Sequence, residues 1–358
     1  MIARVTAQLL RVPLPLFMHG FGYQYVNVPY ISVHDSDGRR GTGFTYTLDA
    51  GASVVCAMVD EVIAPALEGS TVDDWNDVRI RVLANTRRLG ATTFIAAVSA
   101  VDIAIWDLRG VATGLPLVEL LGGSHREVLF YGSGRSGQDL TTDELVQHSL
   151  DYLDEGFNGV KLGVGVHSID TDVSRIATVR EALGESTPLM VDASERFTRT
   201  EALDLGGQLE GMGVQWFEEP LMSEDVEGYA LLARELGTSI AAGEHFQEVD
   251  TFERYARETG TEIFQPDAAL GGGITAMLKV AAVAAGSGRR IAWHSLADLH
   301  IHLASSTAGS CYVEDFPILE NIIGDPLRPK DGAAIAPSRP GHGIRWDAGA
   351  IREFTVGV

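Results

Sequence analysis

The sequence predicts an α/β protein: a (β/α)8 barrel of modified form, preceded by a smaller α+β capping domain. Three observations carry this. From about residue 127, short apolar runs alternate with amphipathic helical stretches; the runs are VLFYGS, GVKLGV, PLMVDAS, VQWFEEP, SIAAGEHF, EIFQPDAA and RIAWHS. Seven or eight strand–helix units over about 200 residues fit a closed parallel barrel, one unit being irregular. An open, doubly wound sheet would want a Gly-rich phosphate loop after its first strand, and none is present. The first third of the chain has a different rhythm, and 358 residues are too many for one ordinary core.

Taken in order, residues 1–125 form the N-terminal part of the cap. ARVTAQLLRVPL (3–14) alternates apolar and polar residues as a strand does, and YISVHDSDGRRGTGFTYT (30–47) reads as two strands about an Asp37–Gly38 turn. Residues 92–109 place Ile95, Val98, Val101, Ile105 and Leu108 at helical spacing. Asp102 and Asp107 lie among them and read as caps or ion-pair partners. The barrel then occupies residues 126–325.

Composition narrows the function. Hydrophobic residues are 45% and charged residues 21%, an ordinary globular balance. The net charge of −22 repels phosphate backbones and anionic lipid, which argues against nucleic-acid and membrane-surface roles. An anionic substrate requires local positive charge or a metal. Two cysteines, Cys56 and Cys311, make neither a disulfide framework nor a four-cysteine zinc site. The stretch MIARVTAQLLRVPLPLF lacks the order of a secretory signal, and no apolar run approaches the ~20 residues of a membrane span. A cytoplasmic protein is the expectation.

The chemistry lies where the strands end. PLMVDAS carries Asp192, VQWFEEP carries Glu218 and SIAAGEHF carries Glu244, each 26 residues from the last. Strand C-termini of a parallel barrel open on one face, so the three acids converge there. Singly, such an acid is usually a helix cap or loop charge. Together, three buried carboxylates repel one another and call for a counter-ion. No Lys or Arg follows the same runs, so a hard cation with oxygen ligands, Mg²⁺, is the expected partner. The next strands bring Asp267 and His294. A lone histidine there is ordinarily structural, but a neighbouring carboxylate fixes the imidazole tautomer and raises its basicity, which makes a general base. SCYVEDF adds Glu314, and GVKLGV adds Lys161.

These residues resemble the enolase superfamily and, within it, the mandelate racemase subgroup (mandelate racemase/muconate lactonizing enzyme-like). The motifs are AAVSAVDIAIWDLRG…GLPLVELLGG, VDAS, WFEEP, GEHF, PDAALGGG, WHS and VED, all in order. The resemblance covers almost the whole chain. It implies an enolase-type barrel and a C-terminal segment, residues 326–358, returning to the cap. It implies one Mg²⁺ per subunit on Asp192, Glu218 and Glu244, a base dyad of Asp267 and His294, and homo-oligomers. Glu314 matches the acid that hydrogen-bonds a substrate carboxylate, Lys161 the first lysine of a K-x-K pair, and Ser133 a serine near that carboxylate. The reaction this implies is abstraction of a proton α to a carboxylate by a Lys or His base, with Mg²⁺ stabilising the enediolate.

The second lysine of K-x-K is Gly163 here. Residues i and i+2 of a strand share a face, so a base is missing on the flank opposite His294. Racemisation needs proton traffic on both flanks. One base suffices for β-elimination of water or for a cycloisomerisation. The segment 17–30 matches the family's specificity loop and offers His19, Tyr23, Gln24, Tyr25 and Asn27, donors suited to a hydroxyl-rich substrate. Arg135 is a candidate partner for a second carboxylate, and packing at the mouth is the plain alternative for each loop residue. The expectation is a Mg²⁺-dependent acid-sugar dehydratase acting on an aldonate or aldarate. A cycloisomerase of a sugar lactone or anhydro-sugar acid is the runner-up, an epimerase third, and a catalytically silent binding barrel the alternative of another class.

Overall fold

The structure, a computed structural model, describes residues 1–48, 50–86, 92–137 and 140–357. The cap is an antiparallel sheet of β1 (Ile2–Pro13), β2 (Tyr25–Asp35) and β3 (Arg40–Phe44). Alternation in β2 sends Ile31 and Val33 into a core with Val98, Val101 and Ile105 of the helix Thr92–Thr113. A short C-terminal strand, Thr355–Val356, adds to the free edge of β1.

Eight parallel strands follow: β4 (Glu127–Gly132), β5 (Gly159–Gly163), β6 (Leu189–Asp192), β7 (Val214–Glu218), β8 (Ile240–Ala242), β9 (Ile263–Phe264), β10 (Arg290–Trp293) and β11 (Ser310–Asp315). They pair in chain order, and β11 pairs with β4 to close the barrel. The fold class is therefore the one the strand–helix rhythm implies. Part of the C-terminal stretch stays with the barrel: β12 (Ala333–Ile335) pairs antiparallel with β4.

Buried acids fasten the cap to the barrel. Asp102 accepts from Trp75 Nε1 at 2.8 Å and from the Thr275 N–H at 2.9 Å, and Ser99 Oγ accepts from the Gly272 N–H at 2.8 Å. Cap side chains thus satisfy the first-turn amides of the barrel helix Gly273–Ser287, which its own backbone leaves open. Asp107 accepts from the Thr42 and His342 N–H groups, tying β3 to the C-terminal segment. Neither acid has an Arg or Lys partner within ion-pair reach among the described residues.

Asp315, at the end of β11, is buried against a small cavity of about 30 Å³, and no donor among the described residues bonds its carboxylate. Burial pushes its pKa up to about 7, Arg328 opposing and Glu320 adding to the rise. An acid with a raised folded-state pKa binds its proton more tightly folded than unfolded. The stability it lends is present at low pH and is lost as pH rises from about 4 to 7. Asp315→Asn removes that loss: equilibrium unfolding at pH 8 gains roughly 2–4 kcal/mol, and the gain disappears at pH 4. An equal effect at both values would contradict the assignment.

Candidate active site

The barrel interior fixes which side chains reach the mouth. Tyr131, Met190, Trp216, Ala241, Ile263, Ala292 and Tyr312 form one buried cluster, one residue from each of seven strands. Two positions on, side chains return to the inside one layer nearer the strand C-termini. Those positions are Ser133, Asp192, Glu218, Gly243, Gln265, His294 and Glu314. The register sets Lys161 beside Met190 and Gly163 beside Asp192. Lys161 therefore rises from the layer below, and Gly163 stands in the mouth layer with no side chain. Just past β8, Gly243 has φ +145°, a backbone that L side chains rarely adopt, and the chain turns there so that Glu244 enters the mouth instead.

Carboxylate oxygens of Asp192, Glu218 and Glu244 lie within 4.8 Å of one another. Glu218 is fully buried; Trp216 Nε1 donates to its Oε2 at 2.8 Å and Gln265 Nε2 at 2.6 Å. The Asp192 carboxylate takes the Ser194 N–H at 2.8 Å. Burial pushes the Glu218 and Glu244 carboxyls above the usual range, and neighbouring acids, Asp192 among them, add to it. Lys161 Nζ touches Glu218 and stands 2.9 Å from Glu314 and 3.3 Å from Asp192. No Lys or Arg stands in the acids' own runs, but Lys161 reaches Asp192 and Glu218 from β5. One ammonium thus meets three carboxylates, and Glu244 stands beyond its reach. An all-oxygen donor set with uncompensated charge suits a hard divalent cation such as Mg²⁺. The neighbouring group Glu195, Glu219 and His245 differs, because His245 Nδ1 pairs with Glu219 at 2.6 Å and neutralises it.

His294 follows β10, and its Nδ1 lies 3.0 Å from Asp267 Oδ2. Its Nε2 points into the acid ring, 3.4 Å from Glu244 and 4.0 Å from Glu314. Burial disfavours the imidazolium, but the Glu244 and Asp267 carboxylates outweigh it and raise the pKa. Glu314 accepts from Ser133 Oγ at 2.6 Å and the Ser295 N–H at 2.8 Å. Burial opposes its charge, yet Lys161, the His294 ring and the Ser133 hydroxyl hold it ionised, with its pKa lowered. Glu314 thus stands as a carboxylate in this state, and a hydrogen bond from it to a substrate anion requires that it take up a proton. Positive φ values at Ser194, Glu195, Glu219, Ser295 and Leu296 concentrate backbone strain just past the functional strand ends.

Of the remaining sequence candidates, Ser133 is in the site through Glu314. Arg135 is not aimed at a substrate carboxylate; its guanidinium grips Glu155 at 2.6 and 2.8 Å and lies over the Tyr152 ring. His19 sits in a one-turn helix, Leu16–Phe21, with Nε2 3.2 Å from the Leu14 carbonyl, and Tyr23 is exposed. Trp293 is wholly buried core. Sequence reasoning missed Tyr46, Trp216, Gln265 and His300. Trp216 and Gln265 were findable, because they occupy inward positions on strands already identified. His300 is fully buried and bridges two strand-end loops, with Nε2 3.0 Å from the Ala268 N–H and Nδ1 3.0 Å from the Ser295 carbonyl.

Residues 2–122 match the family described as mandelate racemase / muconate lactonizing enzyme, N-terminal domain, and residues 144–350 match the enolase C-terminal domain-like family. A 3,6-anhydro-alpha-L-galactonate cycloisomerase of Streptomyces coelicolor is 34% identical over the full length of both chains. An L-talarate/galactarate dehydratase of Salmonella typhimurium is 33% identical over 89% of this chain and 80% of its own. Among solved structures, an L-talarate dehydratase from Polaromonas sp. JS666, complexed with Mg and L-glucarate, superposes with a TM-score of 0.92 at 30% identity, covering 99% of this chain and 97% of that one.

Mg²⁺ at a hundred times its dissociation constant should stabilise the native protein by about 2.7 kcal/mol. Glu244→Gln should abolish most of the corresponding rise in melting temperature. A wild-type protein indifferent to Mg²⁺ would remove the metal assignment.

Proposed function

The chain belongs to the mandelate racemase/muconate lactonizing enzyme family of the enolase superfamily, and on that premise we propose that it abstracts the proton α to the carboxylate of an acid sugar and expels the β-oxygen. Asp192, Glu218 and Glu244 would hold Mg²⁺, which supplies a fixed double charge to balance the negative charge that grows on the substrate carboxylate. The residues of the chain do the rest. Lys161 and Glu314 orient the carboxylate. His294 Nε2 takes the α-proton, and the C–H electron pair moves into the carboxylate group. The pair then returns to form the α–β double bond as the β-carbon–oxygen bond breaks. The imidazolium gives its proton to the departing oxygen, and the enol product becomes the 2-keto acid.

One observation carries this reading. The imidazole of His294, fixed by Asp267 at 3.0 Å, stands just past β10, on one side of the three ligand strands, while β5 on the other side offers Gly163. When the β-oxygen is a hydroxyl, water leaves and the enzyme is an aldonate or aldarate dehydratase, the reading we favour. A second reading has its own support. The cycloisomerase that matches from end to end is named for a 3,6-anhydro sugar, whose ring oxygen on carbon 3 is itself β to the carboxylate. The same elimination opens such a ring, and the oxygen stays attached. The proposal extends to an enzyme of carbohydrate-acid metabolism, with the sugar-acid names of the relatives as its support; a homo-oligomeric state rests on the family resemblance alone, and a cytoplasmic location on the sequence expectation alone.

A panel of aldonates, aldarates and anhydro-sugar acids, followed by mass spectrometry, separates the two readings. Loss of one water marks dehydration, and a 2-keto product of unchanged mass marks cycloisomerisation. His294→Asn should abolish α-proton exchange in D₂O while keeping the Mg²⁺-dependent rise in melting temperature; retained exchange would refute His294 as the base. Gly163→Lys should leave the elimination rate no higher than wild type, and an increase would show that the second flank matters.

A further inference from the structure

Asp267 lies beyond the end of β9, which is only two residues long, so no strand ladder fixes it. Its carboxylate is nevertheless fully engaged. Oδ1 accepts the Ala269 N–H at 2.7 Å. Oδ2 faces His294 Nδ1 at 3.0 Å and also accepts the hydroxyl of Tyr46 at 2.9 Å. Tyr46 comes from the cap, two residues past β3, and its phenol is buried. Burial and the adjacent Asp267 carboxylate push its pKa well up, so it stays a donor. Thr45 beside it makes a second bridge, donating to the Ala269 carbonyl at 2.8 Å.

We propose that Tyr46 is a positioning residue for α-proton abstraction. By pinning the Asp267 oxygen shared with His294, it keeps the imidazole in its Nδ1–H tautomer with Nε2 toward the substrate, which makes the cap part of the proton-transfer apparatus. This rests on the reading of His294 as base. The Ala269 N–H holds Oδ1, but with His294 alone on Oδ2 the carboxylate can still swing about that anchor and carry the imidazole with it; the Tyr46 hydroxyl on the same oxygen removes that freedom. Charge-assisted bonds of this kind are stronger than neutral ones. The two cap bridges also separate positioning from anchoring: Tyr46 touches the dyad, whereas Thr45 ties the same loop without touching it.

The test uses the full-length, Mg²⁺-loaded enzyme and the panel acid sugar that wild type exchanges fastest in D₂O. Tyr46→Phe, an isosteric change, should lower kcat and α-proton exchange together by roughly tenfold or more while KM moves less than about twofold. In an Asp267→Asn background, adding Tyr46→Phe should cost nothing further, because the two act through one bond. Thr45→Val should lower the melting temperature and leave kcat unchanged. Wild-type kcat in Tyr46→Phe, full multiplicative loss in the double variant, or an equal kcat loss in Thr45→Val would each overturn the proposal. Exchange surviving in His294→Asn, or no wild-type exchange on any panel member, overturns the underlying base reading as well.

Discussion

Four carboxylates, from Asp192, Glu218, Glu244 and Glu314, share one half-closed mouth, and the rest of the site is arranged around carrying that charge. At 4 Å and an effective dielectric near 20, two like charges repel by about 4 kcal/mol. A fold does not gather such groups unless the geometry is forced and the charge is met. The geometry is forced by the barrel: once Met190, Trp216 and Tyr312 fill the interior, the residues two positions on must face the mouth. The charge is met in part by Lys161 and by hydrogen bonds from Trp216, Gln265, Ser133 and Ser295. What remains is the deficit a divalent cation fits.

The same constraint explains the cap. Eight strands deliver side chains to the mouth, but the ladder stops short of Asp267, and the acid needs holding from outside the barrel. Tyr46 reaches it from above, Thr45 ties the same loop through the Ala269 carbonyl, His300 braces the loop through the Ala268 amide, and Ser99 and Asp102 take the amides that follow. Many of the cap's bonds to the barrel thus run along one segment, residues 267–275, with others between Val118 and His302 and between Pro13 and Asn321. A domain joined in this way transmits its position to the Asp267–His294 pair.

The acids, the dyad and the barrel were legible in the sequence for a local reason: apolar runs ending in a polar residue at even spacing report directly on strand ends. Lys161 was legible as an inward lysine, but its reach across to Glu218 and Glu314 was not, since a four-carbon stem links strands whose order the sequence does not show. Tyr46 was invisible for the same reason on a larger scale, because 221 residues separate it from Asp267. Arg135 misled because a guanidinium near a strand end looks like an anion binder. Only the fold reveals Glu155 already beside it.

Gly163 gives the site its direction. On the β5 flank the mouth layer has no side chain, and Lys161 below it is surrounded by three carboxylates, which hold its amine as an ammonium. An ammonium so held supplies charge and does not take up a proton. On the proposed reading the proton from carbon then goes to His294, whose Nε2 faces the mouth and whose imidazolium the neighbouring acids favour until a cation offsets their charge. The proton it takes is also the one available for the leaving oxygen, since the α-carbon and the β-oxygen must face the same imidazole. On that proposed reading, the geometry would select substrates whose β-oxygen lies on the His294 side of the bound carboxylate. It places a chain hydroxyl and an anhydro-ring oxygen under the same stereochemical rule, so that the two reactions named among the relatives differ in what the β-oxygen is attached to and not in how the protein acts on it.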